Sequence, residues 1–450
     1  MKSTNLEAGF ARVNINPMMG IPIRGYYKER LADGILDDIE VNALAIQSKE
    51  IITLLISVDN CGIEQHLLSY YRKKVSDATE VPMENIVISA THTHQAPEAV
   101  IDSENELVRE YTEFLGKRIA DAAVFAIADL KDAKMGYGKG VAPNVAFIRR
   151  YVMKDGSIKT NPGVNNSDIV RPVGTIDDSV NVIRFDREGA DTIVFVNFAN
   201  HPDVVGGCKI SADWPGLLRK NVEKILDNTK CIFFNGAQGD VNHVNVNPKD
   251  GDLNGMFIDF DGVARGYSHA EYIARVVTGG VLQVYDKVKY VEVDSVVSKQ
   301  KTISVPSNKP NPEELSEAYR INDLHNAGKD SELPYEGMML TTVVADAARK
   351  VRLENAPDAF DMILSAVKIG PVAFIGIPGE PFSEIGRQIK ETEGYEMIIP
   401  SCNTNGKEGY FPMQDSYDEG GYEAKSSNFK AGVGEYIIKE GKKLLKSLRY

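Results

Sequence analysis

The sequence has few of the residues that mark disulfide-rich or membrane proteins. Its 450 residues include only four cysteines, at positions 61, 208, 231 and 402, and none of them forms a C-x-x-C pair. That number is too small and too scattered for a disulfide framework, which predicts buried, reduced thiols. The longest apolar run, residues 51–58, is interrupted by Thr53 and Ser57. Since a membrane span needs about 20 apolar residues, we expect no stable membrane insertion.

Basic residues are also in the minority. The chain has 51 Lys and Arg against 64 Asp and Glu, a net charge of −13, and no block rich in Lys or Arg. This balance gives no electrostatic reason to bind phosphate backbones, so we expect no nucleic-acid partner. Residues 1–7 lack the apolar segment of about 7 to 15 residues that a signal peptide requires, which predicts a cytoplasmic location.

What the sequence does contain is enough apolar material for a sizeable core. Hydrophobic residues make up 43% of the chain, the usual share for a globular protein. Short β-branched runs typical of buried strands occur at residues 51–58, 85–90, 192–199, 231–235, 361–367 and 372–377. Helical spacing of apolar positions occurs at residues 107–130, 215–226, 269–284, 312–325 and 382–390. Interleaved strands and helices predict an α/β fold.

The order of these elements is looser than a strict βαβ repeat. Residues 287–304 read as two extended segments with alternating charges, which favours an antiparallel component. We therefore expect mixed β-sheets flanked by helices, a layered α/β sandwich. Residues 306–314 are polar enough for a linker, but core-like strands resume at residue 359, so we expect a single domain.

Two of only seven histidines, His92 and His94, stand two residues apart, directly after the apolar run at residues 85–90. In an extended chain alternate side chains point to the same side, about 6 to 7 Å apart, so both rings can face one site. Loops at strand ends commonly hold active sites. On this pair alone, two hydrogen-bonded turn histidines remain an open alternative.

A histidine and a glutamate follow two further apolar runs. His201 comes after residues 192–199, and Glu380 comes after residues 372–377 and just before Pro381. Each has a structural interpretation, as a hydrogen-bonded histidine and as an acid favoured at a helix N-terminus. If the three strand ends meet, two histidines and one glutamate form a His₂Glu set with an open position for water, the pattern of a hydrolytic zinc site.

Short motifs around these residues recur in a recognisable order: GFAR (9–12), GY (25–26), SATHTH (89–94), NHP (200–202), GAQGD (236–240), PGE (378–380) and GY (409–410). In this order they resemble the neutral/alkaline ceramidase family, which are zinc-dependent amidases. SATHTH is the most specific of them. The resemblance runs from about residue 8 to about residue 430, and motif order over that length is stronger evidence than any one string.

The resemblance implies residue roles and a reaction. It implies four ligands to one zinc ion: His92, His201, Glu380 and Tyr410. It further implies that His94 acts as general base and acid beside the metal, and that Arg149 and Tyr422 contact the scissile carbonyl. Arg150 is adjacent, so the arginine assignment is open by one position. The implied reaction is hydrolysis of an N-acyl bond in a small-molecule amide.

The chain also departs from the ceramide-cleaving members of that family. Those members carry a C-terminal immunoglobulin-like domain, whereas we expect one catalytic domain over residues 1–450. They also have Ser-Pro where this chain has Asn242 and His243. We expect a polar amide at least as readily as a sphingolipid. An esterase or phosphoesterase, and a non-catalytic binding protein that keeps the fold, are the alternatives; Asp203 is a candidate to shape the pocket.

Overall fold

The structure is a computed structural model that describes residues 6–449. Residues 1–5, most of the stretch on which the location prediction depends, lie outside the described residues, as does residue 450. No helix within residues 6–449 combines the length and apolar character that crossing a membrane requires.

The elements within residues 6–449 are short strands and medium-length helices. The strands are β1 (Leu6–Asn14), β2 (Gly34–Ile35), β3 (Glu40–Ser48), β4 (Ile51–Val58), β5 (Ile86–Ala90), β6 (Lys131–Val141), β7 (Phe147–Ile148), β8 (Arg150–Met153), β9 (Ile158–Thr160), β10 (Ile169–Pro172), β11 (Ser179–Arg187), β12 (Thr192–Phe198), β13 (Lys209–Ile210), β14 (Thr229–Asn235), β15 (Val241–Asn242), β16 (Phe257–Ile258), β17 (Ala264–Arg265), β18 (Lys289–Val291), β19 (Val296–Pro306), β20 (Ala359–Ile369), β21 (Val372–Gly376), β22 (Glu380–Pro381), β23 (Met397–Ser401) and β24 (Tyr410–Phe411). The helices are α1 (Gln65–Thr79), α2 (Glu106–Ala128), α3 (Asp213–Ile225), α4 (Tyr267–Tyr285), α5 (Pro312–Asn326), α6 (Gly337–Leu353), α7 (Ser383–Lys390), α8 (Ser416–Glu419), α9 (Tyr422–Ser426) and α10 (Val433–Ser447).

Two mixed sheets form the centre of the molecule. The large sheet has the order β14-β12-β11-β6-β1-β3-β4-β5, and β18 adds to it by pairing with β6. Its two halves join through only two residue pairs between β1 and β6. The small sheet has the order β19-β20-β21-β23. Most neighbouring strands are antiparallel, but β4–β5, β12–β14 and β21–β23 are parallel.

The sheets pack face to face, and helices cover their outer faces. Between the sheets lie aromatic side chains such as Phe195 and Phe234 from the large sheet and Phe374 from the small sheet. Helices α1 and α2 cover one half of the large sheet, α3 and α4 cover the other half, and α7 and α10 cover the small sheet. The predicted layered α/β sandwich with mixed sheets is confirmed.

All the strands and helices predicted above are present, with ends within two residues of the prediction. The segment 287–304 contains two strands, β18 and β19, as expected, but they belong to different sheets. Residues 306–314 run from β19 directly into α5, which starts with a capping box formed by Asn311 and Glu314. Trp214 is fully buried against Phe198 and Phe233.

Strand β6 is an element that the sequence pattern does not predict. It carries glycines at 136, 138 and 140, which usually weaken a strand. Here they allow helix α4 to approach closely, because a Cβ at Gly140 would lie 2.0 Å from the carbonyl oxygen of Gly280. The tertiary contact therefore explains a local sequence that has low strand propensity.

Candidate metal centre and active site

Three strand ends bring three buried ligand-type side chains together. His92 follows β5, His201 follows β12, and Glu380 opens β22 shortly after β21. Nε2 of His92 and Nε2 of His201 each lie 3.2 Å from Oε2 of Glu380. The three ligand atoms lie within 4.8 Å of one another. This group is called the metal centre below.

Backbone carbonyls set the orientation of both histidine rings. Nδ1 of His92 bonds to the carbonyl oxygen of Cys61, and Nδ1 of His201 lies 2.9 Å from the carbonyl oxygens of Gln238 and Val241. A carbonyl only accepts, so each Nδ1 carries a proton, and in its neutral form each ring directs the lone pair of Nε2 toward Glu380. The same carbonyl contacts orient histidine ligands in metal sites.

The oxygen at the centre of this group has no hydrogen-bond donor among the described residues. Two nitrogen lone pairs and a carboxylate oxygen therefore face one another in a buried space, which is unfavourable unless a cation lies between them. Burial lowers the pKa of His92, but the Glu380 carboxylate and the neighbouring Cys61 together raise it to about 10, the direction expected of a space that favours positive charge. The donor set fits a divalent cation with nitrogen and oxygen ligands.

A second group of possible ligands, Cys61, His92 and His94, shares one histidine with the metal centre. Burial raises the pKa of the Cys61 thiol, but the Lys407 ammonium and His92 lower it to about 7. Sγ of Cys61 lies 4.0 Å from Nδ1 of His92, the nitrogen that already bonds a carbonyl. The set with Glu380 is the better cation site, because it has a carboxylate oxygen with two ring nitrogens, Nε2 of His92 and Nε2 of His201, each 3.2 Å away.

Asn235, the last residue of β14, links the segments that carry the ligands. Its side-chain amide donates to the carbonyl oxygens of Thr91 and Asn200, at 3.2 and 3.0 Å. These residues immediately precede His92 and His201. The backbone carbonyl of Asn235 accepts from the N–H of Cys402, and the next residue, Asn403, donates its backbone N–H to Gly379 beside Glu380. One buried amide thus fixes the spacing of the strand ends.

Tyr410 lies beside the metal centre through a backbone pairing. Strands β22 and β24 are parallel, and Glu380 pairs with Tyr410. The Tyr410 ring is 6.4 Å from the His201 ring, centroid to centroid. Burial is the main cause that raises the pKa of its hydroxyl well above the ordinary value. The structure brings Tyr410 to the site, and its role as fourth ligand stays a prediction.

Arg149 and Tyr422 line the same pocket. The guanidinium of Arg149 lies 5.3 Å from the Tyr410 ring and 5.9 Å from the Tyr422 ring. Its Nε donates to Glu423 at 2.6 Å, which fixes its orientation. Arg150 is directed elsewhere, because it donates to Ser416 and Glu419 outside the pocket. Of the two adjacent arginines, Arg149 is the one at the site.

His94 contacts both the metal centre and an acidic residue. Its Nε2 lies 3.3 Å from Nε2 of His92, and its Nδ1 lies 3.6 Å from Oδ1 of Asp203. Burial lowers the pKa of His94 well below its ordinary value, although Asp203 opposes this shift. The ring packs directly on Gly25, which has φ +126° and where a Cβ would lie only 2.8 Å from the ring. Glycine is therefore required at this position.

Asp203 is held in place by two residues that sequence reasoning did not select. Arg265 donates to it through Nε at 3.0 Å and Nη2 at 2.7 Å, and the hydroxyl of Tyr26 donates to Oδ1. This arrangement presents an oriented carboxylate to Nδ1 of His94. The sequence makes Asp203 a candidate for shaping the pocket, because it lies two residues after His201. No sequence feature marks Arg265 as a site residue.

These residues surround a pocket of about 60 Å³. Its polar walls include Asn161, Asn242 and Asp261 in addition to the residues above, and Phe260 and Met338 close one side. Glu423 and Asn235 were also missed, since only their tertiary contacts mark them. The pocket can hold an extended polar group close to His94, Arg149 and the metal centre.

Comparisons with known proteins agree with this geometry at the level of the fold. No protein-family model and no curated protein sequence matches the chain. Among solved structures, a neutral ceramidase from Pseudomonas aeruginosa matches with a TM-score of 0.75 and 14% identity, over 99% of this chain and 75% of the other. A ceramidase complexed with C2 matches with a TM-score of 0.74 and 16% identity over the same shares. The resemblance found in the sequence motifs is thus confirmed in three dimensions, and the chain has the fold of the neutral ceramidases.

Proposed function

We propose that this chain is an amidohydrolase that uses one divalent cation, Zn²⁺, to cleave the N-acyl bond of a small-molecule amide. The observation that carries the proposal is the convergence of two histidine lone pairs and the Glu380 carboxylate at a buried point without a hydrogen-bond donor. The fold shared with neutral ceramidases supports amide hydrolysis. We extend the proposal to one catalytic domain and to a location in the cytoplasm.

In this proposal His92, His201 and Glu380 hold the cation, and Tyr410 completes the set. A cation bound there supplies Lewis acidity, which lowers the pKa of water and polarises a substrate carbonyl. His92, His201 and Glu380 match the three-ligand set of hydrolytic zinc centres, and with Tyr410 as a fourth ligand a water would be the fifth.

His94 moves the protons. Its Nε2 lies next to the metal centre, and Asp203 lies on the opposite side of the ring, near Nδ1. A histidine with a carboxylate close to Nδ1 can accept a proton at Nε2 from water and return it to the leaving amine. Burial lowers the pKa of His94, so the ring is neutral and can accept a proton.

Arg149 and Tyr422 stabilise the oxyanion that develops on the scissile carbonyl. Both line the pocket, and Arg149 is fixed by Glu423 and by the carbonyl oxygen of Gly239, at 2.6 and 2.8 Å. Donors held in place before the reaction need no reorganisation, which is the usual source of the largest catalytic term. The pocket has a volume of about 60 Å³, so a short acyl group, or an extended one that places only part of its length there, fits next to the metal centre.

Metal analysis followed by chelation and a substrate screen tests the proposal. The purified protein should contain close to one equivalent of zinc, lose hydrolysis after chelation, and regain it when Zn²⁺ is added. The screen should contain N-acyl amides graded by acyl length, with the matching esters and phosphoesters as controls. Hydrolysis of esters or phosphoesters but of no amide would contradict amide specificity, and undiminished turnover after complete removal of metal would contradict the metal role.

A further inference from the structure

A second and larger cavity lies next to the metal-centre pocket. Its volume is about 410 Å³, compared with about 60 Å³ for the pocket. Cavities that bind small organic ligands have volumes of about 300 to 1,000 Å³. Its lining combines apolar residues such as Phe147, Leu253 and Met256 with polar residues such as His243, Asn245 and Asp252. It is called the His243 cavity below.

The wall between the two spaces is thin. Asn242 lines the metal-centre pocket, whereas the next residue, His243, lines the cavity. In the same way Arg265 faces the pocket and Ala264, just before it, faces the cavity. Successive residues of an extended chain point to opposite sides, so these two segments separate the spaces by a single layer of backbone.

His243 is a buried polar residue of this cavity with an unsatisfied atom. The residue is 2% exposed. Its Nε2 donates to the carbonyl oxygen of Ala264 at 2.7 Å, so Nε2 carries the proton. Its Nδ1 has no partner among the described residues. Burial and the neighbouring His269 lower the pKa of His243 to about 3. The ring is therefore neutral at pH 7, and Nδ1 is an acceptor that needs a donor.

The neighbouring polar groups add further acceptors. The ring of His269 lies 5.7 Å from that of His243, and its Nε2 also has no partner among residues 6–449. Asp252 accepts from the amide of Asn245 at 3.1 Å, and it supplies a carboxylate to the same cavity. Within the described part of the chain, neither His243 nor His269 belongs to a group of three metal-ligating side chains. A hydrogen-bond donor is thus a better fit to this cavity than a metal ion.

We propose that the His243 cavity binds a small amphiphilic molecule whose alcohol or primary amine group donates to Nδ1 of His243 and whose apolar body packs against Phe147, Leu253 and Met256. The site is separate from the metal centre and does not depend on the proposed reaction. Its ligand requires both features, because a purely polar molecule leaves the apolar wall in contact with water and a purely apolar one leaves Nδ1 without a donor.

Benzyl alcohol and benzylamine are suitable probes, and benzyl methyl ether is the matched control that lacks a donor. Binding to the full chain is measured by ligand-observed NMR and titration calorimetry at millimolar probe concentrations. We expect the alcohol or the amine to bind at least about tenfold more tightly than the ether, equivalent to about 1.4 kcal/mol. Equal binding of all three compounds, or binding of none, would overturn the proposal.

Four variants locate the probe and its hydrogen bond. Leu253→Trp places a larger side chain in the cavity and should abolish binding, whereas Phe257→Trp changes an exposed residue four positions later that does not line the cavity and should leave binding unchanged. His243→Phe should remove the preference for the alcohol over the ether, and His243→Gln should retain part of it. If Leu253→Trp binds benzyl alcohol as well as the wild type does, the cavity is not the site.

Metal-free protein separates this proposal from the proposed function. Binding of the probes should be the same before and after chelation, because the donor group contacts His243 and not the metal centre. A probe that binds only in the presence of metal would place it in the active-site pocket and would contradict the separate site. Absence of hydrolysis in the substrate screen would leave this result unaffected.

Discussion

The metal centre and the His243 cavity both contain buried histidines with one ring nitrogen bonded to a backbone carbonyl, yet they suit different ligands. In the metal centre the carbonyl contacts hold Nδ1, so that two Nε2 lone pairs meet the Glu380 carboxylate. In the cavity a carbonyl holds Nε2 of His243 instead, and within residues 6–449 no two further ligand-type side chains lie around its Nδ1. The difference shows that burial of a histidine does not make a metal site. A candidate metal site also needs convergent lone pairs and a neighbouring carboxylate.

Replacing one histidine in each region should give the largest difference in metal binding between the two. We expect His92→Ala to weaken metal binding by more than about 100-fold, because even loss of an outer-sphere partner costs about 10- to 100-fold. His243→Ala should retain the metal. Metal content after gel filtration and a chelator competition measure both. Equal retention in the two variants would refute the assignment of His92.

His94 should separate catalysis from metal binding within the same region. His94→Ala should keep the cation and lower the hydrolysis rate by about 10²- to 10⁴-fold, the usual contribution of a general base. Metal content and kcat are measured on the same preparation. If this variant loses the metal instead, the roles of His92 and His94 are exchanged.

Tyr422 tests the oxyanion contact with a smaller effect. Tyr422→Phe should lower kcat by about 10²-fold with little change in KM, because the lost hydrogen bond acts mainly in the transition state. Tyr417→Phe is the control, since the Tyr417 hydroxyl bonds to Ser427 and to the carbonyl oxygen of Phe429 away from the pocket. A normal kcat for Tyr422→Phe would exclude it from the mechanism.

The stability of the protein below pH 6.5 tests whether His243 in the cavity stays neutral in the folded chain. The pKa of His243 is about 3 in the folded chain, against about 6.5 in an unfolded one. The unfolded state therefore takes up a proton first, and stability is lost as pH falls from 6.5 toward 3, by about 2 kcal/mol at pH 5. In His243→Gln the loss between pH 7 and pH 5 should shrink by about that amount in urea unfolding. His66→Gln, on the exposed side of α1, should behave as wild type.

The smallest effect concerns the amide that spaces the strand ends. Asn235→Ala should weaken metal binding by about tenfold, because Thr91 and Asn200 lose their shared donor. Asn197→Ala removes comparable buried hydrogen bonds, to Phe234 and Pro400, and should cost similar stability without a change in metal affinity. Chelator competition and thermal unfolding distinguish them. Equal metal affinities would make Asn235 a structural residue only.

The sequence predicted most of the buried strands, because an apolar run of five to eight residues is typical of a buried strand and too short for most buried helices. Ile51–Val58 is a strand with the predicted bounds, and β5, β12 and β21 end within one residue of their predicted ends. Strand β6 escaped prediction, because its glycines are explained by the close approach of helix α4 and not by local propensity. Helix α6, which brings Met338 to the pocket, also escaped.

For the site, the sequence determined which side chains stand at strand ends, since His92, His201 and Glu380 each follow an apolar run. The sequence could not determine in which direction the Nε2 lone pairs of His92 and His201 point. That depends on the carbonyl oxygens of Cys61, Gln238 and Val241, which come from loops distant in the chain. The distinction between Arg149 and Arg150 has the same physical origin: adjacent residues point to opposite sides, and only packing against Glu423 and Ser416 determines which guanidinium reaches the pocket.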